Sequence, residues 1–193
     1  MGGTPRYVTF RPGILVFGRS VLAFIHALGR YTNLAENALA RQGIRGVQPN
    51  GWYPQQAFLN AFREIAFELG ENTLFAMGKK VPDLNGIPPG IATVEEALAG
   101  IDTAYHASHR DADGPLFDPA TGALREGIGH YAFRREGPRS GVMVCDTPYP
   151  SDFDRGIVAG VARLFRADAS VVLDLSKPSR KLGASSCSYV ITW

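Results

Sequence analysis

The sequence predicts an α+β fold, in which N-terminal helices pack on a C-terminal antiparallel sheet crossed by one helix. Apolar residues at helical spacing fill the first half of the chain. Alternating apolar and polar residues appear after Gly129, in two pairs of strand-like segments. A strongly amphipathic stretch from Ser151 to Phe165 lies between those pairs, which makes it the crossing helix.

Residues 1–12 read as an extended arm, because Pro5 and Pro12 break any helix. Val21, Phe24, Ile25 and Leu28 give the segment Ile14 to Leu28 a helical face. Thr32 or Asn33 suits the cap of a short helix through Ala40, with Gly43 as its stop. Gly51-Trp-Tyr-Pro54 is expected to open a long helix whose apolar set is Phe58, Leu59, Phe62, Ile65, Ala66 and Leu69. Gly70 ends it, and Asn72 to Met77 continues after a kink. Pro82 to Gly90 holds three prolines and two glycines, so it is assigned as a loop.

Thr93 and Glu96 form a capping box for a helix carrying Val94, Leu98, Ile101, Ala104 and Tyr105 on one face. Asp111 to Gly127 is rich in turn residues and reads as a hairpin tip or lid. Gly129–Arg134 and Ser140–Asp146 suit an antiparallel pair. Pro148, Pro150 and a Ser151 or Asp152 cap open the crossing helix, with Ile157, Val158, Val161, Leu164 and Phe165 as its buried face. Gly156 and Gly160, four apart on it, indicate close helix packing. Val171–Leu175 and Ser188–Trp193 are the closing strands. The aromatic and β-branched ending suggests that the chain stops inside a buried strand, with little missing beyond it.

A length of 193 residues suits a single domain with a self-sufficient core. A net charge of +2 gives no electrostatic case for nucleic acid. The most apolar early stretch, Gly13 to Leu28, carries Arg19 and His26 and is too short for a membrane span. No secretory leader is visible, and the expected location is cytoplasmic. Phosphate-loop, dinucleotide and paired CxxC motifs are absent, so no catalytic class is indicated.

The densest polar cluster is Tyr105-His-Ala-Ser-His-Arg110. On a helix, His106 and His109 project from neighbouring positions, a spacing that holds a metal or a haem iron. Asp111, Asp113 and His130 are available to complete the shell. The same residues also suit a helix C-terminus, where His and Arg favour the negative end of the dipole. Asp152 and Asp154 either act as an acid–base or cation-holding pair or stabilise the start of the crossing helix. Arg155 pairs with one of them or reaches a ligand. Cys145 and Cys187 meet if their strands are neighbours, and Arg180 or Lys181 would supply the positive group that activates a thiol. Trp52, Tyr53, Phe58, Phe62, Phe67 and Phe75 form either a core or the wall of an apolar pocket.

Three features carry a resemblance to a known superfamily. They are the helix from Trp52-Tyr-Pro54 to Leu74-Phe-Ala-Met-Gly78, the Phe153-Asp-Arg-Gly-Ile-Val-Ala-Gly160 helix, and the Gly183–Trp193 ending with Cys187. Over residues 33–193 the chain resembles the small ligand-binding domains of the four-vinyl-reductase type, the haem nitric-oxide-binding domain and the Golgi transport-particle subunits. The resemblance implies a pocket between helices and sheet for a small apolar or haem-like ligand, or a docking surface, often in a dimer. The Tyr-x-Ser-x-Arg signature of the haem branch has its nearest counterpart in His106-Ala-Ser-His-Arg110, with His in place of Tyr. The vinyl-reductase branch carries more cysteines near its end, where this chain has Ser179 and Ser186 before a lone Cys187.

The expected function is a non-enzymatic sensor or adaptor that holds a small hydrophobic molecule in an apolar pocket. Trp52, Phe58, Phe62, Tyr149, Arg155 and Cys187 are its candidate ligand-binding residues, with His106, His109 and Arg110 at the mouth. The alternatives are a haem- or metal-dependent protein or enzyme using His106, His109 and His130, and a dimeric scaffold that docks a partner. The cofactor is otherwise unassigned.

Overall fold

The computed structural model describes residues 7–193. The chain opens with a short strand, β1 (Leu15–Phe17), which turns directly into α1 (Gly18–Ala27). The strand takes the first turn of the helix expected from Ile14, because it finds a partner in β2 (Trp52–Pro54). Phe17 and Trp52 face each other in register, with ring centroids 4.9 Å apart. Gly18 permits this junction: a Cβ there would lie 1.9 Å from the Gln48 carbonyl oxygen. The expected opening of a helix at Gly51-Trp-Tyr-Pro54 is therefore corrected to a strand followed by α3 (Gln55–Leu69).

Between these pieces lies α2 (Thr32–Arg41). Gly70, at φ +78°, separates α3 from α4 (Glu71–Asn85). That helix runs past Pro82, so the loop begins at Gly86 rather than at Pro82. Pro82 sits in the last turn, and its residue four positions back is Gly78, the least obstructive neighbour for the ring. The Thr93–Glu96 capping box is present at the start of α5 (Val94–Ala107). Beyond it, β3 (His109–Asp111) returns to pair with β1, and β4 (Gly114–Pro115) pairs with β3. Among the described residues this makes a small antiparallel sheet of order β2-β1-β3-β4.

The C-terminal sheet has the order β5-β6-β8-β7, from β5 (Tyr131–Gly137), β6 (Ser140–Cys145), β7 (Ser170–Leu173) and β8 (Cys187–Thr192). The crossing helix is α6 (Ser151–Phe165), between β6 and β7. It starts after Pro150 without the side-chain cap expected from Ser151 or Asp152. Leu164, expected on its buried face, is about half exposed, and Phe67 on α3 is exposed too. Two of the arm's residues are tied to α3: the Thr9 amide and hydroxyl donate to Gln56 and Gln55, and the Tyr7 carbonyl accepts from Gln56. The rest of the arm, residues 1–6, lies outside the described residues.

Helices α4 and α6 form the tightest packing in the fold. A Cβ on Gly156 would stand 2.4 Å from the Phe75 carbonyl oxygen and 2.9 Å from the Gly78 Cα. One on Gly160 would stand 2.6 Å from the Lys79 carbonyl oxygen. The two backbones thus touch along a glycine seam. Gly156→Ala is expected to cost about 3 kcal/mol by overpacking, lowering the melting midpoint by roughly 6–12 °C. Gly100→Ala, whose Cβ would meet only Ile91 Cδ1 at 3.7 Å, is expected to stabilise α5 by roughly 0.5–1 kcal/mol. Thermal unfolding of the two variants checks both signs.

Candidate ligand-binding site

Helices α4, α5 and α6, strand β1 and the loop at 86–91 line a half-open, mostly apolar cavity of about 160 Å³. Val16, Phe58, Ile101, Phe153, Ile157 and Val161 supply much of its wall. Its polar groups are few, and His109 and Tyr149 are the central pair. His109 enters on β3 and is buried. Its Nδ1 lies 2.7 Å from the Tyr105 carbonyl oxygen, which can only accept, so Nδ1 carries the proton. Its Nε2 then accepts from the Tyr149 hydroxyl at 2.9 Å. Gln55, itself buried, donates to the same hydroxyl at 3.4 Å. Burial lowers the His109 pKa to about 4, helped by His106, while the Tyr105 carbonyl works the other way. The ring is therefore neutral at physiological pH.

Tyr131 and Tyr149 stand on the cavity wall in front of a buried ionic network. Tyr131 donates to Asp154 at 2.6 Å and Thr147 donates to its other oxygen at 2.7 Å. Arg180, from the single helical turn at 180–182, donates to Asp154, to the Thr147 carbonyl and to the Tyr149 carbonyl. Burial raises the Asp154 carboxyl, and Arg180, Tyr131 and Thr147 pull against it. Asp154 in turn holds Arg180 protonated. Asp152 points elsewhere, pairing with Lys181 at 2.6 Å and Arg155 at 3.4 Å. The two aspartates are thus employed separately.

The structure distributes the sequence-selected residues widely. Phe58, His109 and Tyr149 meet at the cavity, and Phe62 packs behind Phe58 with centroids 4.9 Å apart. Trp52 is on β2, where the Arg110 guanidinium stacks over its ring at 5.4 Å. His106 is fully buried but off the cavity wall, with its ring centroid 5.0 Å from that of His130. The helical spacing of His106 and His109 does not apply, because α5 ends between them at Ala107. Arg155 stacks on Phe75 at 4.4 Å. Cys187 faces Cys145 across β6 and β8, both buried as free thiols. Burial raises the Cys187 thiol, but Ser151 and Arg180 bring it below its ordinary value. Cys187, Arg155, Lys181 and Tyr189 border a second, more polar cavity of about 260 Å³. Tyr131 and Gln55 escaped the sequence reading, and Asp154 and Arg180, weighed there for other roles, were not seen as partners of each other, since the groups that meet are remote in sequence.

No family model matches the chain, and no curated protein matches it in sequence. Solved structures do. An H-NOX mutant from T. tengcongensis superposes with a TM-score of 0.64 at 16% identity, covering 91% of this chain and 96% of that one. An oxygen-binding H-NOX domain related to soluble guanylate cyclases, in its oxygen complex, gives 0.61 at 14%, covering 91% and 93%. An Fe(II) unliganded H-NOX mutant from K. algicida gives 0.59 at 13%, covering 91% and 95%. At these identities the likeness establishes the fold, which is that of the H-NOX structures.

The buried neutral histidine has a pH signature. An unfolded His109 titrates near 6.5, whereas the folded ring resists protonation down to about 4. Its contribution is complete above pH 6.5 and is lost as pH falls towards 4, by about 3 kcal/mol. His109→Gln, which keeps a donor and an acceptor, is expected to remove that portion. Urea unfolding of both proteins at pH 7 and pH 4 should therefore show a stability difference that moves by about that amount; a difference independent of pH would contradict the assignment.

Proposed function

We propose that this chain is a small-molecule-binding sensor domain, holding a compact, largely apolar ligand between α4, α5 and α6. The half-open cavity carries the reading: apolar walls around a polar pair, His109 and Tyr149, that can orient one end of a guest. Its volume of about 160 Å³ is close to that of the engineered cavity of about 150 Å³ that admits benzene or xenon. The fold supports a sensing role, because the neighbouring structures include a study of H-NOX activation, with a TM-score of 0.63 at 13% identity.

Haem is the second reading, since a neighbouring structure concerns haem redox potential and porphyrin distortion. His109, the histidine on the cavity wall, would be the iron ligand. Its tautomer suits that role: Nδ1–H bonds a backbone carbonyl and the lone pair is on Nε2. The remaining features fit haem poorly. Nε2 is engaged by Tyr149, the space suits one aromatic ring rather than a macrocycle, and among the described residues no Lys or Arg lines the cavity to meet haem carboxylates. A ligand smaller than haem therefore matches these walls better.

No helix among the described residues is long and apolar enough to cross a membrane. A docking or dimeric role has less support. Exposed Phe67, Leu175 and Leu182 lie on α3, after β7 and in the turn at 180–182.

Native mass spectrometry with a visible spectrum of freshly purified protein tests the two readings. A mass excess without a Soret band supports the small-ligand reading, and a Soret band lost in His109→Ala supports haem. Benzene or indole at about 100 times Kd should raise stability by about 2.7 kcal/mol. Gly100→Leu, which fills the cavity from α5, is expected to abolish that gain while the variant stays folded. An undiminished gain in Gly100→Leu would place the binding elsewhere.

A further inference from the structure

We infer that Asp102, His106 and His130 form a binding site for a divalent cation of the zinc type, off the cavity and at the junction of α5 with β5. One ligand atom from each residue lies within 4.8 Å of the other two. Asp102 and His106 are four apart on α5, so they share a face of the helix. His130 arrives from the segment leading into β5, held by its amide on Asp146 and by the Tyr131 amide on Asp102 at 2.9 Å. The three donors thus come from two separately anchored elements.

The chemistry of the set favours a borderline metal. Two imidazoles and a carboxylate suit zinc, cobalt or nickel better than calcium or magnesium, which prefer oxygen alone. Glu126 meets His130 at Nε2, on the ring edge opposite the Nδ1 that faces Asp102, so the protein donors are the three residues alone. Zinc takes four ligands in a structural site and leaves one position to water in an open one.

A purely structural role accounts for part of the cluster. His130 bridges Asp102 and Glu126 at 3.0 Å on both sides, and this satisfies it as an ion pair. His106 is left over. It is completely buried, and its Nδ1 is 2.9 Å from the Asp102 carbonyl oxygen, which places the proton on Nδ1 and the lone pair on Nε2. That Nε2 has no hydrogen-bond partner among the described residues. A buried, unpartnered imidazole nitrogen is costly, and its ring stands 5.0 Å from the His130 ring by centroid, with the Asp102 carboxylate 3.5 Å from its other nitrogen. A bound cation gives all three a common partner. It would also fix the last turn of α5 to the start of β5, one residue from Tyr105 and from Tyr131.

The full chain, treated with a chelator and dialysed, is titrated with Zn²⁺ alone by calorimetry and with Co²⁺ by visible absorption. The expected result is one equivalent of Zn²⁺ bound, and a Co²⁺ d–d band of the intensity typical of four-coordinate nitrogen and oxygen ligation. His130→Ala, at a partly exposed position, and His106→Gln, which keeps the buried volume, should each weaken Zn²⁺ by at least tenfold and change the Co²⁺ band. His26→Ala, on the exposed face of α1, should leave both unchanged. Absence of stoichiometric Zn²⁺ binding would overturn the inference. So would wild-type affinity in His130→Ala and His106→Gln, or loss of binding in His26→Ala. None of these outcomes depends on what occupies the cavity.

Discussion

One buried carboxylate fixes the relation between the helices and the C-terminal sheet. Asp154 has no exposed surface, yet it gathers a hydroxyl from β5, a hydroxyl from the segment after β6 and a guanidinium from the turn before β8. Removing a charge from water is expensive, and the cost is offset only when every lone pair finds a donor. Arg180 offsets part of its own cost by also donating to two backbone carbonyls, those of Thr147 and Tyr149, while its buried Nε has no partner among the described residues. The network cannot be partly formed without leaving a buried charge unpaired, so α6, β5 and the turn at 180–182 must assemble together. Two tyrosines of the cavity wall, Tyr131 and Tyr149, take their positions from it.

The end of α5 shows how a structural need and a functional one coincide. The last carbonyls of a helix lack intrahelical donors. Here the His109 and Ser108 side chains, together with His106 one turn earlier, donate to the carbonyls of Tyr105, Ala104 and Asp102. The two histidine bonds also fix the imidazole tautomers. The His109 lone pair faces the Tyr149 hydroxyl at the cavity, while the His106 lone pair is left without a partner among the described residues. The two histidines at one helical terminus are thus turned to different surroundings, the cavity wall and the Asp102–His130 group.

What was legible in the sequence was what local periodicity records. The capping box of α5, the β5–β6 pair, α6 between two strands and the closing β7–β8 pair are all stretches in which neighbours in sequence report the environment. The close approach at Gly156 and Gly160 was also written in their spacing. Strands of three residues are too short to show alternation, so β1, β2 and β3 were absorbed into helices or loops. The run of α4 beyond Pro82 depends on packing against Gly160, a residue of another helix. At the site, aromatic spacing found Phe58 and Phe62, but the pairing of Asp154 with Arg180, 26 residues apart, carries no local mark. Asp102 does carry a local mark, its i, i+4 relation to His106 on α5, whereas the three-residue spacing of His106 and His109 has no helical meaning past Ala107.

The glycine seam between α4 and α6 has a kinetic consequence. Two helices whose backbones touch at Gly78, Gly156 and Gly160 have no interposed side chains to re-pack. They behave as a fixed abutment on the time scale of ligand exchange. The opposite boundary is different in kind: the loop at 86–91 contributes Gly86, Ile87, Pro88 and Ile91 to the cavity, and Gly86 and Gly90 there have positive φ. For the proposed guest, the seam is then the boundary whose shape must be matched, and the loop at 86–91 and α5, which lack such a backbone-to-backbone contact, are where any opening would have to occur.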